Sequence, residues 1–390
     1  MYKVMTRNAI AAIGLQQLPE AQYEVGPDVE SPDAILLRSH VLTDADLKPS
    51  IKAIGRAGAG VNNIPVASCT ERGIPVFNAP GANANAVKEL VLAGLLLASR
   101  GIIEGIQYVD TLKDEKDHKA LSKILEKEKK RFAGAEIQGK TLGVVGLGAI
   151  GSLVASMALK MGMEVIGYDP ALSVEAAWRL PSEVKRMENL NSLYARADFI
   201  TMHLPVFDST RGMVNADAVA AMKQGVKLLN FAREEIVNLD AVVAGLDSGK
   251  IARYITDFPA PAIIGRPDVI LMPHIGASTE EAEENCAVMV ARQLRDFLEN
   301  GNIVNSVNFP ALVLERSGKC RLAIANQNIP KMLGKILSVL ADQNINVVDM
   351  MNKSRDDIAY NLIDMESAPS EAALEAIRNT EGVIGVRVIG

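Results

Sequence analysis

The stretch "TLGVVGLGAIGSLVASMALKMGMEVIGYDP", residues 141–170, constrains the fold more than any other part of the chain. Gly146, Gly148 and Gly151 follow an apolar strand pattern and open a helical one. A second strand pattern ends at Asp169, eighteen residues past the last of these glycines. In this spacing the first glycine permits a tight turn, the second lets the backbone approach a pyrophosphate, and the third lets the helix pack close to its strand. The helix start at Ala149 and Ile150 then offers amide donors and partial positive charge to an anion. A βαβ unit holding a dinucleotide is expected. A carboxylate at Asp169 accepts hydrogen bonds from ribose hydroxyls and repels a 2'-phosphate, and the following "PALSVEAA" contains no arginine, so the expected cofactor is NAD rather than NADP.

The same alternation runs through most of the chain. "DAILLRS", "IKAIGRAG", "IPVFNAP", "ADFITMHLP", "VKLLNFAR", "ARYITDFP" and "DVILMPHIG" read as short apolar strands running into turns, with helical segments between them, which is the sequence form of parallel α/β layers. Ligands of such sheets gather outside the carboxyl ends of the strands. Arg38, Arg56, Asn78, Asp169, His203, Arg233, Asp257 and His274 all fall there. With 390 residues, more than one domain is expected.

Composition excludes several classes. No run of eighteen apolar residues occurs, and the start "MYKVMTRNAIAAIGL" lacks a basic segment followed by a continuous apolar one, so a cytoplasmic chain without a membrane partner is expected. Cys69, Cys286 and Cys320 are odd in number and widely spaced, which gives neither a disulfide framework nor a metal site. A net charge of -6 without a basic stripe disfavours nucleic acid. Any anionic ligand must then be held by local arginines.

Between the early strands and the glycine motif, "NAVKELVLAGLLLASRGIIEGIQYV" reads as one long apolar helix from Val87, suited to a domain or subunit interface. The charged run "KDEKDHKALSKILEKEKKRF" reads as a solvated helix, because its charges alternate in sign at helical spacing. After residues 305–319 the pattern becomes strand, helix, strand, strand, helix, strand. The helices run from Pro330 to Gln343 and from Ser370 to Asn379, and the strands centre on Ile324, Val348, Leu362 and Val386. This split βαβ plan is small enough that a partner subunit would help bury it.

The motifs "RAGAGVNNI", "GIPVFNAPGANANAVKEL", "GKTLGVVGLGAIG", "HLP", "NFAR" and "PHIGAST", in this order, resemble those of the D-2-hydroxyacid dehydrogenases. Within that family the match is to the phosphoglycerate-oxidising members that carry a C-terminal ACT domain, and it covers essentially the whole chain. The resemblance implies two doubly wound α/β domains, one flavodoxin-like and substrate-binding, one a Rossmann NAD domain, plus a ferredoxin-like ACT domain. The expected boundaries are 1–90 with 280–304 for the substrate domain, 91–279 for the NAD domain and 318–390 for the ACT domain. It also implies roles. Arg233 would bind the substrate carboxylate, and His274 would act as acid and base. Arg38, Ser39, Arg56 and Asn83 would face the substrate, with Arg38 and Arg56 holding its phosphate. The cofactor would lie along Gly146, Gly148, Ala149, Ile150, Gly151, Asp169, His203, Leu204, Pro205, Phe231, Ala232, Asp257, His274 and Gly276. For Arg38 and Arg56 the plainer alternative is pairing with surface acids.

The implied activity is NAD-dependent oxidation of D-3-phosphoglycerate to 3-phosphohydroxypyruvate, the first step of L-serine biosynthesis, in a homodimer or homotetramer. The alternatives are another 2-hydroxyacid dehydrogenase of the glycerate or glyoxylate type, or a regulator that binds NAD without turnover. Two departures stand out. The family's glutamate partner of the histidine is absent from "DFPAPAIIG", so a His–Glu pair is not assumed; Asp257 is expected to orient the cofactor and, secondarily, to support His274. In the ACT segment, Asn328 and Asn346 match the asparagines that hold an L-serine effector, but Asn326 replaces a histidine and Lys331 replaces a turn glycine.

Overall fold

The computed structural model describes residues 1–390, apart from the side chain of residue 175. The chain forms two compact units, one made of Met1–Asn83 with Thr279–Gly390 and the other of Ala84–Ser278.

The first unit opens with five parallel strands: β1 (Tyr2–Arg7), β2 (Tyr23–Gly26), β3 (Ala34–Leu37), β4 (Ala53–Arg56) and β5 (Val76–Phe77). Their order β2-β1-β3-β4-β5 is the flavodoxin-like one. All four residues of β3 are buried, as expected of a strand covered on both faces. In β1 only Val4 is fully buried, and its sequence lacks the apolar run that marks β3.

The second unit holds seven parallel strands: β6 (Thr141–Val145), β7 (Glu164–Tyr168), β8 (Lys185–Arg186), β9 (Phe199–Met202), β10 (Val226–Asn230), β11 (Ile251–Thr256) and β12 (Val269–Leu271). The order β12-β11-β10-β9-β6-β7-β8 reverses between β6 and β9, which is the topological switch point where a Rossmann sheet binds its ligand. The long apolar helix expected from Val87 is in fact two, Ala84–Ser99 and Ile102–Asp110. Near the break, Ser99 Oγ turns back to Leu95 O at 2.6 Å, and the Gly101 amide leaves the helical ladder for Phe132 O at 3.3 Å. The charged run forms the helix His118–Glu128, capped by Asp117 and without a buried residue.

The C-terminal segment returns to the first unit as an antiparallel sheet of β13 (Cys320–Gln327), β14 (Val347–Arg355), β15 (Ile358–Met365) and β16 (Val383–Ile389), in the ferredoxin-like order β14-β15-β13-β16. The helices Met332–Asp342 and Glu371–Arg378 cover one face, packing Ile336, Leu340, Leu374 and Ile377 on Leu322, Ile324 and Ile363. The alternate residues Ala323, Ala325, Tyr360 and Leu362 join the core of the N-terminal sheet, together with Phe297 and Leu298 of the helix Glu280–Asn300. The α/β architecture of two parallel sheets and a ferredoxin-like sheet is therefore the expected one.

The end of the Glu280–Asn300 helix is held by side chains from this sheet. Arg321 Nη1 donates to Asn300 O at 2.9 Å, Arg387 Nη2 to Phe297 O and Leu298 O at 3.2 and 3.0 Å, and the Tyr360 hydroxyl to Gly301 O at 2.8 Å. From β1, the Tyr2 hydroxyl adds a bond to Leu298 O at 2.9 Å. The last carbonyls of a helix have no partner within it, and cationic donors also complement the negative end of its dipole.

Candidate active site

Each strand of the second unit delivers a particular residue to the carboxyl edge of the sheet. The turn leaving β6 carries the glycine motif. Gly146 sits at a φ of 89°, a left-handed conformation, and a Cβ there would lie 2.4 Å from His203 O. Gly151 is closer still, since its Cβ would lie 1.9 Å from Gly146 O. These two glycines are required by the protein's own packing. Gly148 differs: a Cβ there would meet nothing within 4 Å. It caps the helix Ala149–Lys160, and among the described residues no side-chain hydrogen bond caps the first turn. A helix N-terminus open above a residue with no side chain fits a phosphate, so the residues present suit a dinucleotide.

At the end of β7, the half-buried Asp169 accepts hydrogen bonds from the Leu147 amide at 2.8 Å and the Ala171 amide at 3.0 Å. Its carboxylate is thus fixed in direction with lone pairs to spare. It borders a cavity of about 580 Å³ lined also by Leu147, Leu172, Trp178 and Arg186. Sequence reasoning missed Arg186, which is seventeen residues past Asp169 and comes alongside because β8 pairs Gly167 with Arg186. The two-residue strand β8 carries no apolar run that could have announced it.

His203 follows β9, and its Nε2 lies 2.9 Å from Thr201 Oγ1, whereas its Nδ1 is buried without a protein partner. Burial pushes this imidazole down to about 3, so it is neutral at physiological pH. Leu204 and Pro205 continue the turn, and Leu204 Cδ2 would also lie 2.8 Å from a Cβ on Gly146.

After β10 the turn Phe231–Ala232–Arg233 is braced by Asn230, which is fully buried. Asn230 Nδ2 donates to Arg233 O at 2.9 Å, Asn230 Oδ1 accepts from the Ala232 amide at 3.1 Å, and Thr256 Oγ1 donates to Asn230 O at 2.8 Å. Sequence reasoning missed both Asn230 and Thr256. The signal available was a polar residue inside an otherwise apolar strand end, as in "LLNF" and "YITDF".

Asp257, 1% exposed, follows β11 and ties down the segment after β12. Its main-chain carbonyl accepts the His274 amide at 2.8 Å, and its Oδ2 accepts the Gly276 amide at 2.8 Å. Its Oδ1 is buried without a protein partner. Asp257 therefore supports the backbone around His274 rather than the imidazole. His274 has a φ of 49°, a left-handed conformation that a histidine adopts only where surrounding contacts enforce it. Its exposed ring lies against Phe258, centroids 5.0 Å apart. Because β11 lies between β10 and β12, Arg233 and His274 leave the sheet on either side of Asp257.

In the first unit Arg38 Nη2 pairs with Glu283 at 2.7 Å, the plainer alternative for that residue. Arg56 instead donates to Arg38 O at 3.1 Å and to Gly60 O at 2.6 Å, while Ser39 is exposed. Asn83 Oδ1 is buried without a protein partner. In the C-terminal sheet, Asn328 donates to Asp356 O at 3.0 Å before the Met332–Asp342 helix, and the exposed Asn346 follows that helix. Lys331 has a left-handed φ of 75°, a conformation that favours glycine. Among the described residues no cluster of metal-ligating side chains occurs, and no helix is long and apolar enough to cross a membrane.

Residues 92–276 match the family model described as "D-isomer specific 2-hydroxyacid dehydrogenase, NAD binding domain". The D-3-phosphoglycerate dehydrogenase of Haemophilus influenzae is 32% identical over 90% of this chain and 85% of its own. The enzyme of the same name from Methanocaldococcus jannaschii is 35% identical over 83% of this chain but only 60% of its own length. The NAD-bound 3-phosphoglycerate dehydrogenase of Entamoeba histolytica superposes with a TM-score of 0.62 at 25% identity, over 80% of this chain and 99% of that one. With a glycine turn shaped for a dinucleotide and relatives aligned along most of its length, this chain belongs to the D-isomer specific 2-hydroxyacid dehydrogenases, which are NAD-dependent enzymes.

Proposed function

We propose that the protein oxidises D-3-phosphoglycerate to 3-phosphohydroxypyruvate with NAD, the first step of L-serine biosynthesis. The observation that carries this reading is the pair of groups flanking Asp257, a guanidinium after β10 and an imidazole held in a left-handed turn after β12. The names of the relatives above supply the substrate.

In this reading Arg233 takes the substrate carboxylate through charge-assisted hydrogen bonds. His274 accepts the hydroxyl proton as hydride leaves the same carbon, and Phe258 limits the swing of its ring. NAD, when bound, is the hydride acceptor. Gly148 and the amides after it hold its phosphates, Asp169 its ribose, and Asp257 orients the nicotinamide end. Ser39 and Asn83 face the substrate, and Arg56 and Arg38 receive its phosphate. Arg38 would exchange Glu283 for it, at little cost because a solvent-exposed ion pair contributes only about 1 kcal/mol or less.

We also propose the division into a substrate domain of 1–90 with 280–304, an NAD domain of 91–279 and an ACT domain of 318–390. Further parts of the reading are a cytoplasmic homodimer or homotetramer and an L-serine effector held at Asn328 and Asn346. The test is the rate of reduced-nicotinamide consumption with 3-phosphohydroxypyruvate against hydroxypyruvate and glyoxylate. The expected kcat/KM preference for the phosphorylated substrate is about a hundredfold or more, shrinking in Arg56→Gln. Equal rates would select the glycerate or glyoxylate type instead.

A further inference from the structure

At the carboxyl edge of the first sheet, three arginines follow one another across neighbouring strands: Arg7 ends β1, Arg38 comes directly after β3, and Arg56 ends β4. The register sets Arg7 beside Leu37 and Leu37 beside Arg56, so Arg7 and Arg56 stand in one row on the same face of the sheet, on either side of β3. Arg38 and Arg56 are the phosphate residues of the proposed substrate site, whereas Arg7 has no assigned part. Its own surroundings do not account for it. Arg7 is half-buried, and its guanidinium makes no hydrogen bond or ion pair among the described residues. None of its nitrogens is among the buried unpartnered atoms, so its donors are open to a ligand.

The turns at this edge are tied together. Asn8, in the left-handed conformation with a φ of 67°, accepts the His40 amide on its Oδ1 at 2.5 Å, which joins the turn leaving β1 to the turn leaving β3. From the other side Arg56 crosses a strand spacing, about 5 Å, to place its Nε 3.1 Å from Arg38 O. An anion above the end of β3 would therefore have Arg56 on one side and Arg7 one strand spacing away on the other. The nearby acid is occupied: the Asp46 carboxylate accepts the Thr43 amide and hydroxyl, both at 2.8 Å, and these bonds, more than the charges of His40 and Arg7, hold it below the usual carboxylate range. Charge balance points the same way. Arg38 comes with Glu283 at 2.7 Å, so those two bring no net charge, and Arg56 alone would face a monoester phosphate of close to two negative charges. Arg7 supplies the second positive one.

We propose that Arg7 is a specificity-determining residue for the phosphorylated substrate, donating from its guanidinium to the phosphate that Arg38 and Arg56 hold. This rests on the reading of that sheet edge as the substrate-phosphate site. The phosphate takes no part in hydride transfer, so it is bound equally before and during the chemical step. Arg7 therefore bears on substrate capture rather than on turnover.

The test is steady-state kinetics of the full-length protein with NADH and either 3-phosphohydroxypyruvate or hydroxypyruvate. Arg7→Gln should raise KM for the phosphorylated substrate by about tenfold or more while kcat stays within about twofold, shrinking the kcat/KM preference over hydroxypyruvate by the same tenfold. Arg7→Lys, which keeps the charge but not the planar fork, should shrink it by about threefold, and it decides the question if the glutamine variant does not fold. Undiminished NADH binding by each variant verifies its folding. An arginine that only braced the strand end would lower both substrates alike. The proposal is overturned if Arg7→Gln keeps the parent's preference, if it loses activity on both substrates equally, or, where only Arg7→Lys folds, if that variant keeps the preference in full. A parent enzyme with no preference for the phosphorylated substrate overturns the substrate reading as well, so the parent alone tells the two failures apart.

Discussion

His274 occupies a backbone conformation that costs a histidine free energy, and it gains no carboxylate partner in return. Its position is set instead from the main chain, by the Asp257 carbonyl on its own amide and the Asp257 carboxylate on Gly276. If it is the acid and base of the reaction, His274→Asn, which tolerates the left-handed turn, should lower kcat by about a hundredfold or more while NADH still binds. Stopped-flow turnover with parallel NADH titration checks this; retained turnover would remove the residue from the chemistry. His203 makes a different prediction. Burial depresses its folded value from 6.5 to about 3, so between those values the unfolded chain takes up a proton that the folded chain refuses. Stability should therefore be complete above pH 6.5 and decline as the pH falls towards 3. Denaturant unfolding at stepped pH should show this loss, and His203→Gln should flatten it. The positions of these residues at strand ends were legible because apolar runs stop abruptly at them. Thr256 and Arg186 were not, since their importance comes from neighbours distant in sequence, while Asn230 braces its own turn and showed only as a polar residue closing an apolar run.

At the scale of elements, the glycine turn separates two requirements that its motif merges. Gly151 has no room for a side chain because Gly146 O is in the way, whereas Gly148 has room and leaves it open at a helix N-terminus. Gly151→Ala should damage folding, seen as a lowered unfolding midpoint or insolubility. Gly148→Ala should keep the midpoint and weaken NADH binding by about tenfold or more, because its methyl stands where phosphate must approach. If both variants kept wild-type cofactor affinity, the turn would not be the phosphate site. The central strands β3, β6, β9 and β10 announce themselves as buried apolar runs, but β1, β2 and β8 do not. β1 is central in its sheet yet mostly half-exposed, and β8 is two exposed basic residues. Their strand character comes from the sheet they join. The break after Ser99 was illegible for a related reason, because the chain near Phe132 that receives the Gly101 amide is about thirty residues away in sequence.

Across the whole molecule, the most buried charge is Arg321, with no exposed surface and paired to Asp364 at 2.6 Å. Burial alone would raise the Asp364 carboxyl, but hydrogen bonds from Arg321 and Ser317 and the Arg321 charge outweigh it and hold it at about 2. A carboxyl lowered from 3.8 contributes stability that is present above that value and lost as the pH falls towards 2, about 2 kcal/mol in all. Asp364→Asn, which leaves the guanidinium buried and uncompensated, should cost about 3 kcal/mol in urea unfolding at neutral pH and abolish that acid-side loss. A variant as stable as the parent would mean that water already reaches the pair.

Arg321 also belongs to the group of donors that seat the C-terminal sheet on the final turn of the Glu280–Asn300 helix. These bonds make the helix and the sheet behave as a lever with its load already attached. A chain cut before β13 would lose more than an accessory module: it would strip the caps from a central helix and uncover Phe297 and Leu298 to water. The sheet is thus bonded directly to the closing turn of the helix that Thr279 caps at its other end, with no linker between them.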